Sequence, residues 1–339
     1  AVGAKHAVAV SSGTAALHAA TAASGLTWLD EVIVPPLSFV ATANCIYYQG
    51  AKPVFADVDS GTCNLDPAAI EAQLTGRSRA ILVVHFAGQP ADMDAIRAVA
   101  QKHGLSIYED AAHALGAKYK GQPVGALSPL TAFSTHPVKH IATGEGGMVT
   151  TDDDMLARKL LAFRNHGILR DSHAREREGD WHYDAATLGY NYRMPDVLCA
   201  LGMSQLEKMP RWLARRQTIA ARYTQAFENL PEIEPLVQAV GCESAWHLYI
   251  IRLRLDALRR DRGEMFTALR AEGIGVNVHY LPIYHHSHYQ TLGYAKGLCP
   301  VAEAQYERML TLPLWPGMGD DDVEDVITAV HKVVEASRA

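Results

Sequence analysis

The sequence predicts an α/β fold with a mostly parallel central sheet and a smaller α+β C-terminal domain. Two observations predict it: short apolar runs alternate with amphipathic stretches to about residue 151, and after about residue 152 the pattern becomes helical. Several apolar runs are continuous, which is typical of strands buried on both faces. The predicted strands are AVAV (7–10), VIVP (32–35), PVFADV (53–58), AILVVHF (80–86), SIYED (106–110), TAFS (131–134) and MVTT (148–151).

The stretches between these strands carry helix start and stop signals. Asp66 and Pro67 suit the N-cap and N1 positions of one predicted helix, and Gly104 closes the next one. This alternation of strand and helix is what predicts parallel pairing. The predicted helices are TAALHAATAAS (14–24), DPAAIEAQL (66–74) and DMDAIRAVAQKHG (92–104).

A helical stretch over 194–230 leads from the sheet to the C-terminal part, and Pro210 marks a break or kink in it. We predict a large domain over 1–205, and a linking helix with a small domain over 206–339. The chain enters its first strand almost at once, so we expect that its natural N-terminal segment is missing. The small domain is predicted to contain a strand over 246–255, a helix over 265–273, a strand over 276–282 and a helix over 321–334.

Composition and charge favour a small-molecule partner. The 339 residues are 48% hydrophobic, and the formal net charge is −6 without a basic run, which argues against nucleic acid. The five cysteines are widely spaced with no CxxC pair, as in a protein with reduced thiols. No membrane span of roughly 20 apolar residues and no signal-peptide pattern is present, so a cytoplasmic protein is predicted. The string YHHSHY (284–289) lacks acidic or cysteine ligands at a suitable spacing, so no metal site is predicted.

Polar residues follow several predicted strands, where open α/β sheets bind ligands. The stretch SSGTAA (11–16) follows the first strand and begins a helix. Backbone N–H groups at a helix N-terminus lie at the positive end of the helix dipole and suit a phosphate. A simple N-cap is the alternative interpretation.

A second polar group lies in YEDAAHALGA (108–117), where Asp110 ends an apolar strand. A carboxylate there is costly unless it meets a cation, for example a protonated heterocyclic nitrogen. A helix N-cap is again the alternative. His113 would share a helical face with Asp110 if a helix starts there.

The third group is STHPVKHIATGEGG (134–147), where Lys139 follows a strand. A lysine among apolar and small residues can have a depressed pKa and bond covalently to an aldehyde, although a lysine in isolation would be interpreted as a surface charge. Together the three groups match the phosphate, ring nitrogen and aldehyde of pyridoxal 5′-phosphate (PLP), which we predict as the cofactor. A nicotinamide dehydrogenase also fits the α/β pattern, but GxGxxG is absent after the first strand.

The chain resembles the DegT/DnrJ/EryC1/StrS sugar aminotransferases, which are PLP-dependent homodimers with the aspartate aminotransferase-like (type I) fold. The resemblance runs essentially from end to end. The matching blocks are VAVSSGTAALHAA, LSFVATANCI, VHFAGQPADM, EDAAHALGA, HPVKHIATGEGGMVTT, FRNHGI, LGYNYRMPDVLCALGMSQL and VHYLPIYHHSHY.

The resemblance implies roles for individual residues. Lys139 would bond to the cofactor aldehyde and later move the proton between the substrate carbon and C4′, while Asp110 would pair with the pyridinium nitrogen. Phe39 would stack on the ring, although by default it is a core residue, and Asn191, otherwise a turn residue, would reach the phosphate in the partner subunit. The other implied cofactor contacts are Gly13, Thr14, His113 and Ser134. The implied substrate contacts are Arg193, His279, Tyr280 and Tyr284.

Lysine at position 139 favours transamination, because some family members carry histidine there and catalyse dehydration. Two departures stand out. The family commonly has SFHPVK where this chain has Thr135 in place of the phenylalanine, and relatives carry an N-terminal segment that is absent here.

Within the family, the blocks around HPVKHI, FRNHGI and VHYLPIYHHSHYQTLGY are most similar to the transaminases of pseudaminic acid biosynthesis. Those enzymes aminate C4 of UDP-2-acetamido-2,6-dideoxy-β-L-arabino-hexos-4-ulose, with L-glutamate as donor and 2-oxoglutarate as its product. GYNYR (189–193) differs from the GYKYN of enzymes that make UDP-4-amino-4-deoxy-L-arabinose. Perosamine-type and 3-keto sugar aminotransferases, and a non-catalytic PLP-binding regulator, are the alternatives.

Overall fold

A computed structural model describes residues 1–169, 179 and 181–339 of the chain. The strands are β1 (His6–Val10), β2 (Glu31–Val34), β3 (Lys52–Phe55), β4 (Ser78–Val84), β5 (Ser106–Asp110), β6 (Lys118–Tyr119), β7 (Gln122–Pro123), β8 (Leu130–Ser134), β9 (Gly147–Thr151), β10 (Ile233–Pro235), β11 (Cys242–Glu243), β12 (Tyr249–Leu253) and β13 (Met309–Leu312). The α-helices are α1 (Gly13–Ala23), α2 (Ala41–Tyr47), α3 (Pro67–Ala72), α4 (Met93–His103), α5 (Asp154–Phe163), α6 (Asp196–Phe227), α7 (Arg262–Ala271), α8 (Ser287–Thr291), α9 (Pro300–Arg308) and α10 (Asp320–Glu335). Within the described ranges, no helix is both long enough and apolar enough to cross a membrane.

A seven-stranded sheet with the order β1-β9-β8-β5-β4-β2-β3 forms the centre of the N-terminal part. Strand β9 is antiparallel to both of its neighbours, and the remaining pairs are parallel. The prediction of an α/β fold with a mostly parallel sheet is therefore confirmed. The carboxyl ends of the parallel strands and the amino end of β9 meet at one edge of this sheet.

Both faces of the sheet are buried. Successive side chains of a strand point to opposite faces, so Leu82 of β4 joins one apolar cluster while Ile81 and Val83 join another. Leu17 of α1 packs into the first cluster and Ile96 of α4 into the second. The sheet therefore lies between two helical layers, which explains the continuous apolar runs of its strands.

The C-terminal part is built on a second, antiparallel sheet with the order β10-β12-β13. Its core joins side chains of this sheet to apolar faces of the helices around it, for example Leu253 of β12, Tyr223 of α6 and Val330 of α10. The predicted smaller α+β C-terminal unit is thus present. The predicted domain boundary between residues 205 and 206 falls inside α6.

Two predicted elements differ in the structure. Residues 276–282 lie beside β13 but form no strand, since the pairing is limited to an isolated bridge between Asn277 and Thr311. Helix α6 runs unbroken through Pro210. Buried side chains on either side of the proline, such as Met209 and Ile219, anchor the helix to the core and offset the lost backbone hydrogen bond.

Candidate active site

A cavity of about 440 Å³ opens at the edge of the central sheet where the parallel strands end. Its volume lies in the range typical of small-molecule sites. The loops after four strands supply its walls, and one residue comes from the C-terminal part. The lining includes Ser12, Gly13, Thr14, Ser38, Phe39, Thr42, Asp110, His113, Ser134, Lys139 and Tyr280.

The N-terminus of α1 forms one end of the cavity. Ser12 is the N-cap, and its Oγ accepts a hydrogen bond from the N–H of Ala15 at 3.0 Å. A Cβ atom at Gly13 would lie 2.7 Å from Cβ of Ser134, so only glycine lets the helix start this close to the end of β8. The other N–H groups of the first turn have no partner within the helix, which makes this end of the cavity a seat for a phosphate.

Asp110 lies at the end of β5 and is 6% exposed. Its Oδ2 accepts from the hydroxyl of Thr42 at 2.7 Å, and its Oδ1 accepts from the N–H of Ala112 at 3.1 Å. The hydroxyl of Thr42 lies 2.7 Å from that of Ser38. Both donors are neutral, so the buried carboxylate retains the capacity to pair with a cation in the cavity.

His113 reaches the cavity from a turn. The helix that would have placed Asp110 and His113 on one face does not form; instead the N–H of Ala114 donates to the carbonyl of Ala111 at 2.9 Å in a short turn. The Nε2 atom of His113 lies 3.1 Å from the hydroxyl of Tyr280. Burial lowers the pKa of His113 well below its usual value, so the ring is neutral.

Lys139 lies in the loop that connects β8 to β9. Burial lowers the pKa of its ammonium group to about 8, although the nearby Asp110 charge acts in the opposite direction. Its Nζ lies 3.4 Å from Nε2 of His247. Lys139 is therefore an enclosed amine of the cavity and not a solvated surface charge.

Thr135, where the chain departs from the common family pattern, is buried in the same loop. Its hydroxyl lies 2.6 Å from that of Thr143, and its N–H donates to the carbonyl of Gly146 at 2.9 Å. A Cβ atom at Gly146 would come within 2.4 Å of the Thr135 hydroxyl. The threonine thus joins the two ends of the loop that carries Lys139.

Some predicted residues lie outside the cavity. Asn191 and Arg193 are exposed on the surface, where a guanidinium nitrogen of Arg193 donates to Oδ1 of Asn165 at 2.5 Å. His279 is half-buried, with Nδ1 2.9 Å from the hydroxyl of Thr311. Burial, with a smaller effect of the Lys139 charge, lowers the pKa of His279 to about 4.

Tyr284 does not line the cavity, in contrast to the substrate contact predicted for it. Its side chain is fully buried, with its ring 5.2 Å from that of Phe55. The hydroxyl donates to Oε1 of Glu303 at 2.5 Å and accepts from the N–H of Cys299. Both capacities of the hydroxyl are used inside the core, so Tyr284 supports the segment behind the cavity wall.

The sequence interpretation missed Ser38, Thr42 and His247. Thr42 lies in the first turn of α2, and its helical spacing of three residues from Phe39 could have indicated that the two side chains are neighbours. His247 precedes the apolar strand β12, and nothing local distinguishes it from a packed histidine. Only the meeting of two distant loops brings it to Lys139.

These residues fit PLP. The glycine at position 13 leaves an open cradle of backbone N–H groups, Asp110 offers a buried carboxylate whose hydrogen-bond donors, Thr42 and Ala112, are neutral, and Lys139 offers an amine of lowered pKa. The three features face one cavity, and they match the phosphate, ring nitrogen and aldehyde of the cofactor.

Comparison with known proteins leads to the same chemistry. The family model for DegT/DnrJ/EryC1/StrS aminotransferases matches residues 1–331. The spore coat polysaccharide biosynthesis protein SpsC of Bacillus subtilis (strain 168) is 47% identical over 340 residues, which cover 99% of this chain and 87% of SpsC.

Solved structures agree with this match. Helicobacter pylori PseC, an aminotransferase involved in the biosynthesis of pseudoaminic acid, superimposes with a TM-score of 0.92 at 32% identity, over 99% of this chain and 88% of PseC. DesV of S. venezuelae superimposes with a TM-score of 0.91 at 36% identity, over 98% of this chain and 86% of DesV. The chain therefore belongs to the DegT/DnrJ/EryC1/StrS aminotransferase family, and it is a PLP-dependent sugar aminotransferase.

Proposed function

We propose that the enzyme transfers the amino group of L-glutamate to the C4 keto group of a UDP-linked 4-keto-6-deoxy sugar. The favoured acceptor is UDP-2-acetamido-2,6-dideoxy-β-L-arabino-hexos-4-ulose. The observation that carries transamination is the amine of Lys139, which shares one cavity with Asp110 and has a lowered pKa. The sequence blocks that resemble pseudaminic acid transaminases and the likeness to PseC support the choice of sugar.

Lys139 is proposed as the group that takes and returns the proton. With a pKa of about 8, about one Lys139 in ten is a free amine at pH 7, against about one in 3,000 for an ordinary lysine. A base is most effective when its pKa lies near the working pH. Bound PLP supplies an electron sink for the carbon that loses the proton.

The neighbouring residues are proposed to bind and orient the cofactor. The first turn of α1 and the hydroxyl of Ser134 hold its phosphate, Asp110 holds its protonated ring nitrogen, and Phe39 covers its ring. Tyr280 lines the cavity with its hydroxyl protonated, since burial raises its pKa. It is therefore proposed to donate a hydrogen bond to the substrate, with His279 beside it.

We also propose a homodimer in which Asn191 and Arg193 act in the site of the partner subunit. Both are exposed in this chain, and large apolar side chains near them in the sequence are exposed as well. Leu188, Val197 and Met203 are 80%, 74% and 70% exposed. Clusters of exposed apolar side chains are typical of protein interfaces.

Another nucleotide-linked keto sugar, of the perosamine or 3-keto type, is the second candidate acceptor. It is favoured by the 47% identity to SpsC, a protein named for spore coat polysaccharide biosynthesis, which exceeds the 32% identity to PseC.

The test is amino transfer to a panel of acceptors. The protein is incubated with PLP, L-glutamate and 4-keto and 3-keto sugars linked to UDP, GDP or dTDP, and products are identified by mass spectrometry and NMR. We expect a 4-amino UDP-sugar and an equal amount of 2-oxoglutarate, with Lys139→Ala inactive. Amination of only a GDP-, dTDP- or 3-keto sugar would establish the second candidate. Binding of PLP without transfer to any acceptor would establish the non-catalytic regulator instead.

A further inference from the structure

A group of buried histidines lies behind Lys139. His247 is 7% exposed, and its Nε2 is 3.4 Å from Nζ of Lys139, at the long end of hydrogen-bond distances. Its ring centroid lies 4.3 Å from that of His113 and 5.4 Å from that of His140. His247 therefore fills the space between the lysine and the interior of the protein.

The backbone around His247 is held in an unfavourable conformation. Trp246 and Ala87 adopt left-handed φ angles of 48° and 55°, which are rare for residues other than glycine. The N–H groups of His247 and Leu248 donate to the carbonyl of Ala87 at 3.0 and 3.2 Å. A Cβ atom at Gly88 would lie 2.8 Å from the backbone nitrogen of His247. This close crossing of two distant loops fixes His247 against Lys139 at a cost in strain, as is common at functional sites.

The cationic side chain of Arg216 also binds the segment that contains His247. A guanidinium nitrogen of Arg216 in α6 donates to the carbonyls of Trp246 and His247 at 3.0 and 3.4 Å. Burial together with the charges around it lowers the pKa of His247 well below its usual value, so its imidazole is neutral. The titratable and charged groups that face this cluster are Asp110, His113, Lys139, His140, Arg216, His279 and Tyr280.

A neutral imidazole carries one proton, on either Nδ1 or Nε2. The Nδ1 atom of His247 has no hydrogen-bond partner among the residues that the structure describes. A buried donor without a partner is rarer in proteins than an acceptor with unused capacity. The proton therefore belongs on Nε2, the atom that faces Lys139.

We propose that His247 is a positioning residue for Lys139: its Nε2–H donates to the lone pair of Nζ and holds the free amine in place beside the cavity. A hydrogen bond to the neutral form of a base favours that form over the charged one. The contact therefore directs the amine and favours its unprotonated form. The proposal rests on the proposed role of Lys139 as the proton carrier, and it adds the group that prepares the lysine for it.

The first test measures the pKa of Lys139 in the cofactor-free protein, by competitive labelling with trace acetic anhydride over a range of pH and mass spectrometry of the labelled peptide. In His247→Gln the side-chain amide nitrogen can take the place of Nε2, whereas in His247→Asn it ends near the position of Nδ1. We expect His247→Asn to raise the pKa of Lys139 by about one unit, the equivalent of one hydrogen bond, and His247→Gln to leave it near the wild-type value.

The matched control is His140→Asn. His140 is equally buried and packs on the same ring, but its Nε2 donates to the carbonyl of Ala245 at 3.0 Å. A general loosening of the cluster would raise the pKa of Lys139 in this control as well, and the proposal would then be wrong. It would also be wrong if His247→Gln and His247→Asn raised that pKa equally.

The second test needs no variant. In cofactor-free protein with ¹⁵N-labelled histidine, the nitrogen chemical shifts should show His247 neutral between about pH 5 and pH 9, since burial lowers its pKa, and protonated on Nε2 above about pH 8, where Lys139 is a free amine. Protonation of His247 on Nδ1 above about pH 8, or formation of its imidazolium within the interval, would overturn the proposal. Both tests omit cofactor and substrate, so their outcome is separate from the identity of the sugar.

Discussion

The pKa of Lys139 differs from that of an ordinary lysine because the side chain is buried. Burial disfavours the ammonium form, and only the carboxylate of Asp110 acts against this effect. The neighbouring His113 and His247 are neutral, so they place no charge of either sign beside the lysine. A single residue thereby becomes a nucleophile and base near neutral pH.

The rate of PLP capture should follow this titration. Only the free amine attacks an aldehyde, so in the cofactor-free protein the rate should rise about tenfold per pH unit below about pH 8 and level off above it. The lowered pKa means that the amine is already unprotonated where an ordinary lysine is still charged. Stopped-flow absorbance measures the rate, with a lysine peptide as control, and a rate that still climbs at pH 10 would contradict the assignment.

Replacement of Asp110 by asparagine should keep the fold and weaken the chemistry. The amide can still accept from Thr42, but a protonated ring nitrogen would lose its counter-charge. A buried charge left without its partner costs about 3–5 kcal/mol, so we expect turnover to fall at least about 100-fold.

The matched control for Asp110→Asn is Asp66→Asn. Asp66 is the N-cap of α3, and asparagine is an equally good N-cap residue. Steady-state kinetics and thermal unfolding of both variants separate the two effects. Full turnover in Asp110→Asn would show that the carboxylate has no role in the reaction.

Two elements meet at the phosphate end of the cavity, the start of α1 and the end of β8. Their closeness depends on Gly13, because a side chain at this position would occupy the place of Ser134. The amino end of β9 packs there too, since a Cβ atom at Gly147 would lie 2.3 Å from the carbonyl oxygen of Ser12.

Gly13→Ala should therefore weaken cofactor binding by displacing α1 from β8. Overpacking of this kind costs about 1–3 kcal/mol, which corresponds to a loss of affinity of roughly 5- to 150-fold. Titration of the cofactor-free protein with PLP measures the affinity. Gly76→Ala is the control, because a Cβ atom at Gly76 would meet nothing within 4 Å. Equal affinities of the two variants would exclude a cradle at Gly13.

Local signals predicted those elements whose ends are set by their own residues. Helix α4 begins after the N-cap Asp92 and ends at Gly104, which has a left-handed φ of 66°, and β5 ends at Asp110 as its apolar run predicts. Residues 276–282 have an equally strand-like pattern, but contacts across the fold decide whether a segment extends the sheet beyond β13. The position of His247 is likewise set by contacts across the fold, because its backbone is hydrogen-bonded to Ala87 in a distant loop.

At the scale of the whole molecule, the exposed apolar side chains are the feature that a single chain leaves unexplained. Val197 and Met203 lie in the first turns of α6, and Leu188 lies in the segment before it. Asn191 belongs to the same region of the chain. A partner subunit that covers these side chains would also bring Asn191 to its own cavity, as the proposed dimer requires.

Mixed dimers test this arrangement. Lys139→Ala and Asn191→Ala should each be impaired alone, but a coexpressed dimer of one of each has one site with both native residues. Random pairing makes half of the dimers mixed, so the mixture should regain about one quarter of wild-type activity. Each variant mixed with wild type is the control. Activity no higher than the mean of the two variants would place Asn191 outside a shared site.

Strand β9 is antiparallel to β8, so the loop between them begins and ends at the edge of the sheet that carries the cavity. The last residue of β8, Ser134, is directly paired with the first residue of β9, Gly147. The loop that carries Lys139 is thus joined to the central sheet at both of its ends. His247 and Tyr280 instead come from the C-terminal part of the chain. The site therefore joins residues of the central sheet to residues of the C-terminal part, so its geometry depends on how these two parts of the chain pack against each other.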